Sequence, residues 1–347
     1  MKIDILETSL HDLTLTLKNN YGKGAYHAEA VFKEVFQTGS KNFKENPAFK
    51  KSGVFAETMM KDVEINLPEI VMSEKAEDNA FKFASRYDDG AIVESVLIPM
   101  NNYNTICVST QVGCRMGCIF CETGRLGLFR NLSASEIVAQ VYLARFKLKQ
   151  DIKNIVFMGM GEPLDNFDNL IKAIMILNEQ KGLDFAMSHM TVSTAGLPEG
   201  LKKLGELGLR RLHVAVSLNA PNDEIRSRLM PINIHAPMAK LKKALEEYPL
   251  RSGGCFLVEY IVIPGVNNLP EHARQVAEFI GNLPVRINLI PCNPSSGGGF
   301  TATTDEEILV FSELLTQEGL FVRKRWSKGT FVAAGCGQLG AKYKVIS

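Results

Sequence analysis

The apolar positions of this chain change their period along its length. Near the N-terminus they recur at helical spacing. Leu10, Leu13 and Leu17 share one helix face, and Asn20-Tyr21-Gly22 reads as the stop of that helix. Val31, Phe32, Val35 and Phe36 form a second stripe that ends near Gly39. Residues 1–80 are therefore expected to form a small helical domain with a solvated, lysine-rich face.

At Phe81 the period falls to that of a strand. Phe81–Tyr87, the turn Asp88-Asp89-Gly90 and Ala91–Ile98 predict a β-hairpin connector over 81–100. Six β-rich runs follow: Thr105–Thr110, Asn154–Met160, Met190–Ala195, Arg211–Leu218, Leu257–Pro264 and Arg286–Pro291. Helical patterns fill the intervals, and two starts are marked by capping boxes, Ser133 with Glu136 and Thr304 with Glu307. Successive βα units predict an α/β fold, a partial (β/α)6 barrel over 101–347. A doubly wound sheet is the alternative, but no GxGxxG opens a helix after the first strand.

Composition narrows the class. Hydrophobic residues make up 46% of the 347 and charged residues 22%, enough for a large core and too little charge for a disordered chain. Lys and Arg number 39 against 38 Asp and Glu, so the net charge of +1 gives no global argument for nucleic-acid binding. Only local clusters do, Arg323-Lys324-Arg325 and Lys240, Lys242 and Lys243. Asp4 and Glu7 interrupt the place of a signal-peptide core, and no apolar stretch approaches a membrane span. The expectation is a cytoplasmic protein with no membrane partner.

The cysteines carry the chemistry. Cys114, Cys118 and Cys121 form C-x3-C-x2-C on the loop after the first barrel strand, at the end where such barrels place their sites. Structural zinc prefers four ligands and C-x2-C pairs; no His lies within twenty residues, and Cys107, seven residues before Cys114, forms no such pair. Three unrelated buried thiols are the other alternative. An iron–sulfur cluster with one iron left open fits the spacing best. After the next run comes Gly159-Met160-Gly161-Glu162-Pro163, whose glycines permit close backbone approach to a ligand and whose Glu162 suits an ammonium group.

C-x3-C-x2-C with Phe120 before the last Cys resembles the radical-SAM superfamily. That resemblance implies a 4Fe–4S cluster on Cys114, Cys118 and Cys121, with S-adenosylmethionine (SAM) chelating the open iron and cleaved there to a 5′-deoxyadenosyl radical. TICVSTQVGC (105–114), Thr123-Gly124, Arg130-Asn131-Leu132, GMGEP, SLNAPND (217–223), LIPCNP (289–294) and AGCGQL (334–339) narrow it. Together they resemble the RlmN/Cfr family of radical-SAM RNA methyltransferases over essentially the whole chain.

The resemblance implies roles residue by residue. Cys336 accepts a methyl group from one SAM, and a second SAM supplies the radical that activates it. The resulting carbon adds to an adenine ring carbon, and Cys107 releases the product by forming a disulfide with Cys336. Glu94 matches the proton acceptor. Gly161, Glu162, Ser193, Ser217, Leu218, Asn219 and Asn293 match cofactor-binding positions. Cys255 and Cys292 match nothing catalytic and read as packing residues. The implied substrate is carbon 2 of adenine in 23S ribosomal RNA and in certain tRNAs. The implied electron donor is a flavodoxin or ferredoxin, and the protein is expected to be a monomer with residues 1–80 as an RNA-binding accessory.

Alternatives stay distinct. Carbon-8 methylation is the other branch of the family, and the VGC and RNL segments fit either. An iron–sulfur electron carrier needs neither GMGEP, Cys107 nor Cys336, and a glycyl-radical activase does not explain a methyl-accepting Cys. The chain also departs from the family pattern. Asn219 stands where His is usual, His27 where Arg is usual, Cys292 where an aromatic is common, and residues 328–332 replace a Gly-x-Asp-Ile segment. These changes fall on substrate or packing surfaces, so they bear on the RNA target more than on the reaction.

Overall fold

The structure, a computed structural model, describes residues 1–293, 299–325 and 328–340. Pro294, the last residue of the LIPCNP motif, lies outside them.

The N-terminal part folds as its stripes require. After β1 (Ile3–Asp4) come α1 (Leu10–Tyr21), α2 (Ala25–Thr38), α3 (Gly53–Asp62) and β2 (Val63–Glu64), with β1 and β2 paired in parallel. Ser9 caps α1 by accepting from the Asp12 amide, and Gly22 closes it at φ 64°. Leu13 and Leu17 on α1, and Val31, Phe32, Val35 and Phe36 on α2, are fully buried. The Phe36 ring lies 6.3 Å from that of Tyr142, so these helices share one core with the unit that follows.

Next come β3 (Glu69–Lys75), β4 (Phe81–Arg86), β5 (Ile92–Pro99) and β6 (Asn104–Cys107), each antiparallel to its predecessor. The hairpin over 81–100 thus has a third strand. A register shift between Ile70 and Met72 breaks the alternation of β3 and hides it from a period-two reading.

The chain continues through β7 (Gln111–Cys114), α4 (Glu122–Arg125), β8 (Gly127–Asn131), α5 (Ala134–Tyr142) and β9 (Ile152–Phe157). Then come α6 (Phe167–Asn178), β10 (Met190–Thr194), α7 (Pro198–Glu206), β11 (His213–Ser217), α8 (Asp223–Leu229) and α9 (Met238–Glu246). β12 (Phe256–Val262), α10 (Pro270–Ile280), β13 (Val285–Pro291), α11 (Asp305–Gln317) and β14 (Val322–Lys324) complete it. β6, β9, β10, β11, β12, β13 and β14 lie side by side in that order, all parallel. The six expected runs are all strands of this open barrel, and the short β14 adds a seventh edge. Both expected capping boxes are present.

Helices cover the outside. Ile308, Phe311 and Leu315 of α11 are fully buried, with the Phe311 ring 5.5 Å from that of Tyr260 on β12. Each such side chain contributes about 1.5–3 kcal/mol on burial. Among the described residues no helix is long and apolar enough to cross a membrane. The barrel leaves the C-terminal ends of its strands free for a site.

Candidate active site

The loops after β6 and β9 are stitched together. The Ser109 hydroxyl accepts from the Met160 amide at 2.9 Å and donates to the Glu94 carbonyl at 2.7 Å. The Gln140 side chain, fully buried, brackets Ser109 through its carbonyl and amide at 2.9 and 2.8 Å. Gly161 lies against Gln111 at φ 102°, and a Cβ there would come within 2.6 Å of the Gln111 side chain. Only glycine brings Glu162 in at this angle.

β7 and β8 form a small hairpin that brackets the cysteine motif, which a sequence reading takes as plain loop. Cys114 ends β7, and Cys118 and Cys121 follow before α4. The Ile119 amide donates to the Leu229 carbonyl at 3.0 Å, fixing the loop to the end of α8. All three thiols line one cavity. Burial pushes the Cys114 thiol up to about 12 and raises those of Cys118 and Cys121, with thiol–thiol repulsion adding at Cys114 and Cys118. Thiols so placed ionise readily only against a bound cation. Among the described residues no three donors converge on a single metal ion. Three thiols lining one cavity suit a cluster in which each would bind a different iron.

Gly161, Glu162, Ser193, Ser217 and Asn219 line the same cavity, at the ends of three successive strands. Glu162 is 3% exposed and accepts from the Ala195 amide at 2.6 Å and the Leu164 amide at 3.1 Å. Burial outweighs these bonds and lifts its carboxyl to about 7. A buried carboxylate among apolar side chains such as Met230, Ile261 and Ile290 fits a ligand with one amino group and an apolar body. Asn219 sits at φ 56° and holds β12 by accepting from the Ile261 amide at 2.9 Å. Asn and His are both enriched at such a backbone angle, which accounts for the departure from the family pattern here. Leu218 does not line the cavity; it packs into the core behind β11 with Met238 and Val258.

The C-terminal segment closes the cavity. Cys336 is exposed as a residue, but its thiol is enclosed where it lines the cavity. The Asn293 amide donates to the Cys336 carbonyl at 3.2 Å, so Asn293 holds this loop. The Glu122 amide donates to the Gly337 carbonyl at 2.8 Å and the Thr123 hydroxyl to the Leu339 carbonyl at 2.7 Å. Cys107 is buried at the end of β6. Desolvation lifts its thiol to about 12, with Cys336 adding to the rise and Arg325 opposing it. Desolvation raises Cys336 as well, again against Arg325, while Glu259 adds to the rise. All seven cysteines are free thiols, so the expected Cys107–Cys336 disulfide is not a standing bond of this structure. Cys292 is buried beside Ile290, and Cys255 is half-buried.

Three groups escaped the sequence reading. Arg325, read as part of a basic surface cluster, turns into the cavity, whereas Arg323 and Lys324 stay exposed. Glu259, 5% exposed, lines the cavity from within an apolar strand. Arg226 is fully buried and donates to the Leu218 carbonyl at 3.2 Å, the Ser217 carbonyl at 3.2 Å, the Asn233 side chain at 2.8 Å and the Ala195 carbonyl. It ties the ends of β10 and β11 together beside Cys118. Glu94 does not line the cavity. It is fully buried behind it, in an ion pair with Lys82 at 2.9 Å.

Comparison with known proteins agrees with this geometry. Residues 108–280 match the Radical SAM superfamily. The chain is 38% identical over 339 residues to the probable dual-specificity RNA methyltransferase RlmN 1 of Protochlamydia amoebophila, covering 97% of this chain and 94% of that one. It is 43% identical over 292 residues to the dual-specificity RNA methyltransferase RlmN of Lawsonia intracellularis, covering 81% of each. The crystal structure of a radical SAM methyltransferase from Sphaerobacter thermophilus superposes with a TM-score of 0.89 at 33% identity, covering 98% of this chain and all of that one. The chain belongs to the RlmN/Cfr family of radical-SAM RNA methyltransferases.

Proposed function

We propose that this enzyme methylates carbon 2 of adenine in 23S ribosomal RNA and in tRNA, through a methyl group carried on Cys336. One observation carries the reading: Cys114, Cys118, Cys121, Glu162 and Cys336 share a single cavity, with Cys107 close enough to Cys336 to feel its charge. When bound, the cluster and SAM supply a radical able to remove hydrogen from an unactivated methyl group. Cys114, Cys118 and Cys121 are the cluster ligands, and the Glu162 carboxylate receives the amino group of SAM. Gly161, Ser193, Ser217 and Asn219 line the remainder of that site, while Leu218 and Asn293 support it from behind and from the loop.

The Cys336 sulfur carries the methyl carbon to an adenine C–H that is neither acidic nor nucleophilic, which ordinary methyl transfer cannot reach. The carbon leaves sulfur when the Cys107 thiolate attacks the Cys336 sulfur: one S–S bond forms as the S–CH2 bond breaks, and its electron pair passes to the adenine-bound carbon. That carbon takes a proton to become the methyl group, leaving a disulfide for an external thiol reductant to reopen. Glu94, behind the cavity in this structure, is the proton acceptor for the ring carbon once the loop bonded to it through Gly340 opens. An electron donor such as a flavodoxin or ferredoxin serves a monomeric, cytoplasmic enzyme, and residues 1–80 contribute to RNA binding. The test is nucleoside mass spectrometry of ribosomal RNA and tRNA after incubation with reconstituted enzyme and methyl-deuterated SAM. 2-Methyladenosine with label is expected; 8-methyladenosine would overturn the choice of carbon.

A further inference from the structure

We infer that Lys82 is a positioning residue for Cys336, and that its ion pair with Glu94 is a clasp holding both ends of the loop 333–340. The inference deepens the reading of Cys336 as methyl carrier and rests on it. Lys82 and Glu94 lie on neighbouring antiparallel strands, in a register that pairs Lys82 with Val96 and Ala84 with Glu94. They are therefore diagonal neighbours on one face of the sheet, within reach of long side chains. Both residues are fully buried, and their charged atoms are 2.9 Å apart.

A buried ion pair is costly, because desolvation takes several kcal/mol from each ion and apolar residues of the same size serve stability as well or better. The remaining bonds show what this one holds. The Lys82 ammonium donates to the Ala333 carbonyl at 3.3 Å. The Glu94 carboxylate accepts from the Gly340 amide at 2.6 Å on its other oxygen. One pair thus holds the chain three residues before Cys336 and four residues after it. Neighbouring contacts strengthen the same dock. The Gly329 amide donates to Asp78 at 2.7 Å, and Lys328 to the Pro99 carbonyl at 2.7 Å. Glu74, 3.8 Å from Lys82, adds a second carboxylate to the clasp.

With the loop docked, both Glu94 oxygens are engaged, one by Lys82 and one by Gly340. Because Glu94 lies behind the cavity, the clasp opens at Gly340 before adenine reaches it. Loop placement and proton removal are therefore separable, because methylation of Cys336 precedes any proton loss from adenine.

The test uses full-length reconstituted protein without RNA. Hydrogen exchange of residues 333–340 and transfer of labelled methyl to Cys336 are measured in Lys82→Met, Lys82→Arg and the double variant Lys82→Met/Glu94→Leu. The double variant replaces both ions with apolar groups, so it reports on the clasp even where the single variant leaves Glu94 unpaired and fails to fold. In Lys82→Met and the double variant, exchange across 333–340 should rise about tenfold or more while the barrel strands stay protected. Methylation of Cys336 should fall several-fold, and Lys82→Arg should restore part of both. Unchanged exchange and full Cys336 methylation in the folded double variant would overturn the clasp. Absence of methyl-Cys336 in the wild-type protein would instead overturn the methyl-carrier reading, and the exchange result would still judge the clasp.

Discussion

Arg325 Nη1 lies 3.7 Å from Glu259 Oε2, and the two act with opposite sign on the Cys336 thiol that burial raises. Arg325 favours the thiolates of both Cys107 and Cys336, while Glu259 disfavours that of Cys336. Arg325→Met should therefore move the pH midpoint of Cys336 alkylation upward and slow alkylation several-fold at neutral pH. Glu259→Gln should move the midpoint downward. Iodoacetamide rates followed by peptide mass spectrometry check both, and midpoints that stay fixed in the two variants would show that the pair does not govern the thiol.

Glu162 makes SAM binding pH-dependent. Its carboxyl ionises near pH 7 when the site is free, because burial disfavours the charge. An amino group beside it favours the ionised form, so binding releases a proton below that pH. Affinity should fall about tenfold for each pH unit below about 7 and level off above it. Glu162→Gln should weaken SAM about 10- to 150-fold, for a charge-assisted bond of about 1.5–3 kcal/mol, and should flatten the profile. Equilibrium binding between pH 5.5 and 8.5, in steps of about half a unit, checks both.

Much of this was legible before the fold was known. β6, β9, β10, β11, β12 and β13 are apolar runs because a parallel sheet covered by helices buries both faces. The spacing of Cys114, Cys118 and Cys121 points to an open-site cluster, whereas the roles of Glu162 and Cys336 are what the family resemblance implies. Arg325 was not legible: it adjoins Arg323 and Lys324, and only the end of β14 at Lys324 turns it inward. Lys82 and Glu94 are single polar residues in ordinary strands, and only the β4–β5 register makes them partners. β14 escaped because three residues show no period.

Arg226 should be the most costly single loss near the cluster loop. Arg226→Met leaves the Ala195, Ser217 and Leu218 carbonyls without their buried donor. A destabilisation of about 3–5 kcal/mol is expected, read as a lower midpoint in urea. A change below about 1 kcal/mol would mean that water or a rearranged loop replaces the guanidinium.

The cluster assignment is checked by anaerobic reconstitution. Replacing Cys114, Cys118 and Cys121 together with Ala should abolish the iron–sulfur absorbance and SAM cleavage. Full cluster occupancy in that variant would sink the assignment.

The central claim is that Cys336 carries the methyl group and Cys107 releases the product. The most direct measurement compares Cys336→Ala and Cys107→Ala, each incubated with labelled SAM and RNA, digested with nuclease and weighed by mass spectrometry. Cys336→Ala should lose methylation of protein and RNA alike. Cys107→Ala should retain methylation of Cys336 and accumulate protein covalently joined to RNA, trimmed by nuclease to a single nucleotide adduct. Two packing cysteines would behave otherwise, each replacement costing about 1–2 kcal/mol of stability and reducing activity alike. Equal, partial losses in both variants with no covalent adduct would contradict the account.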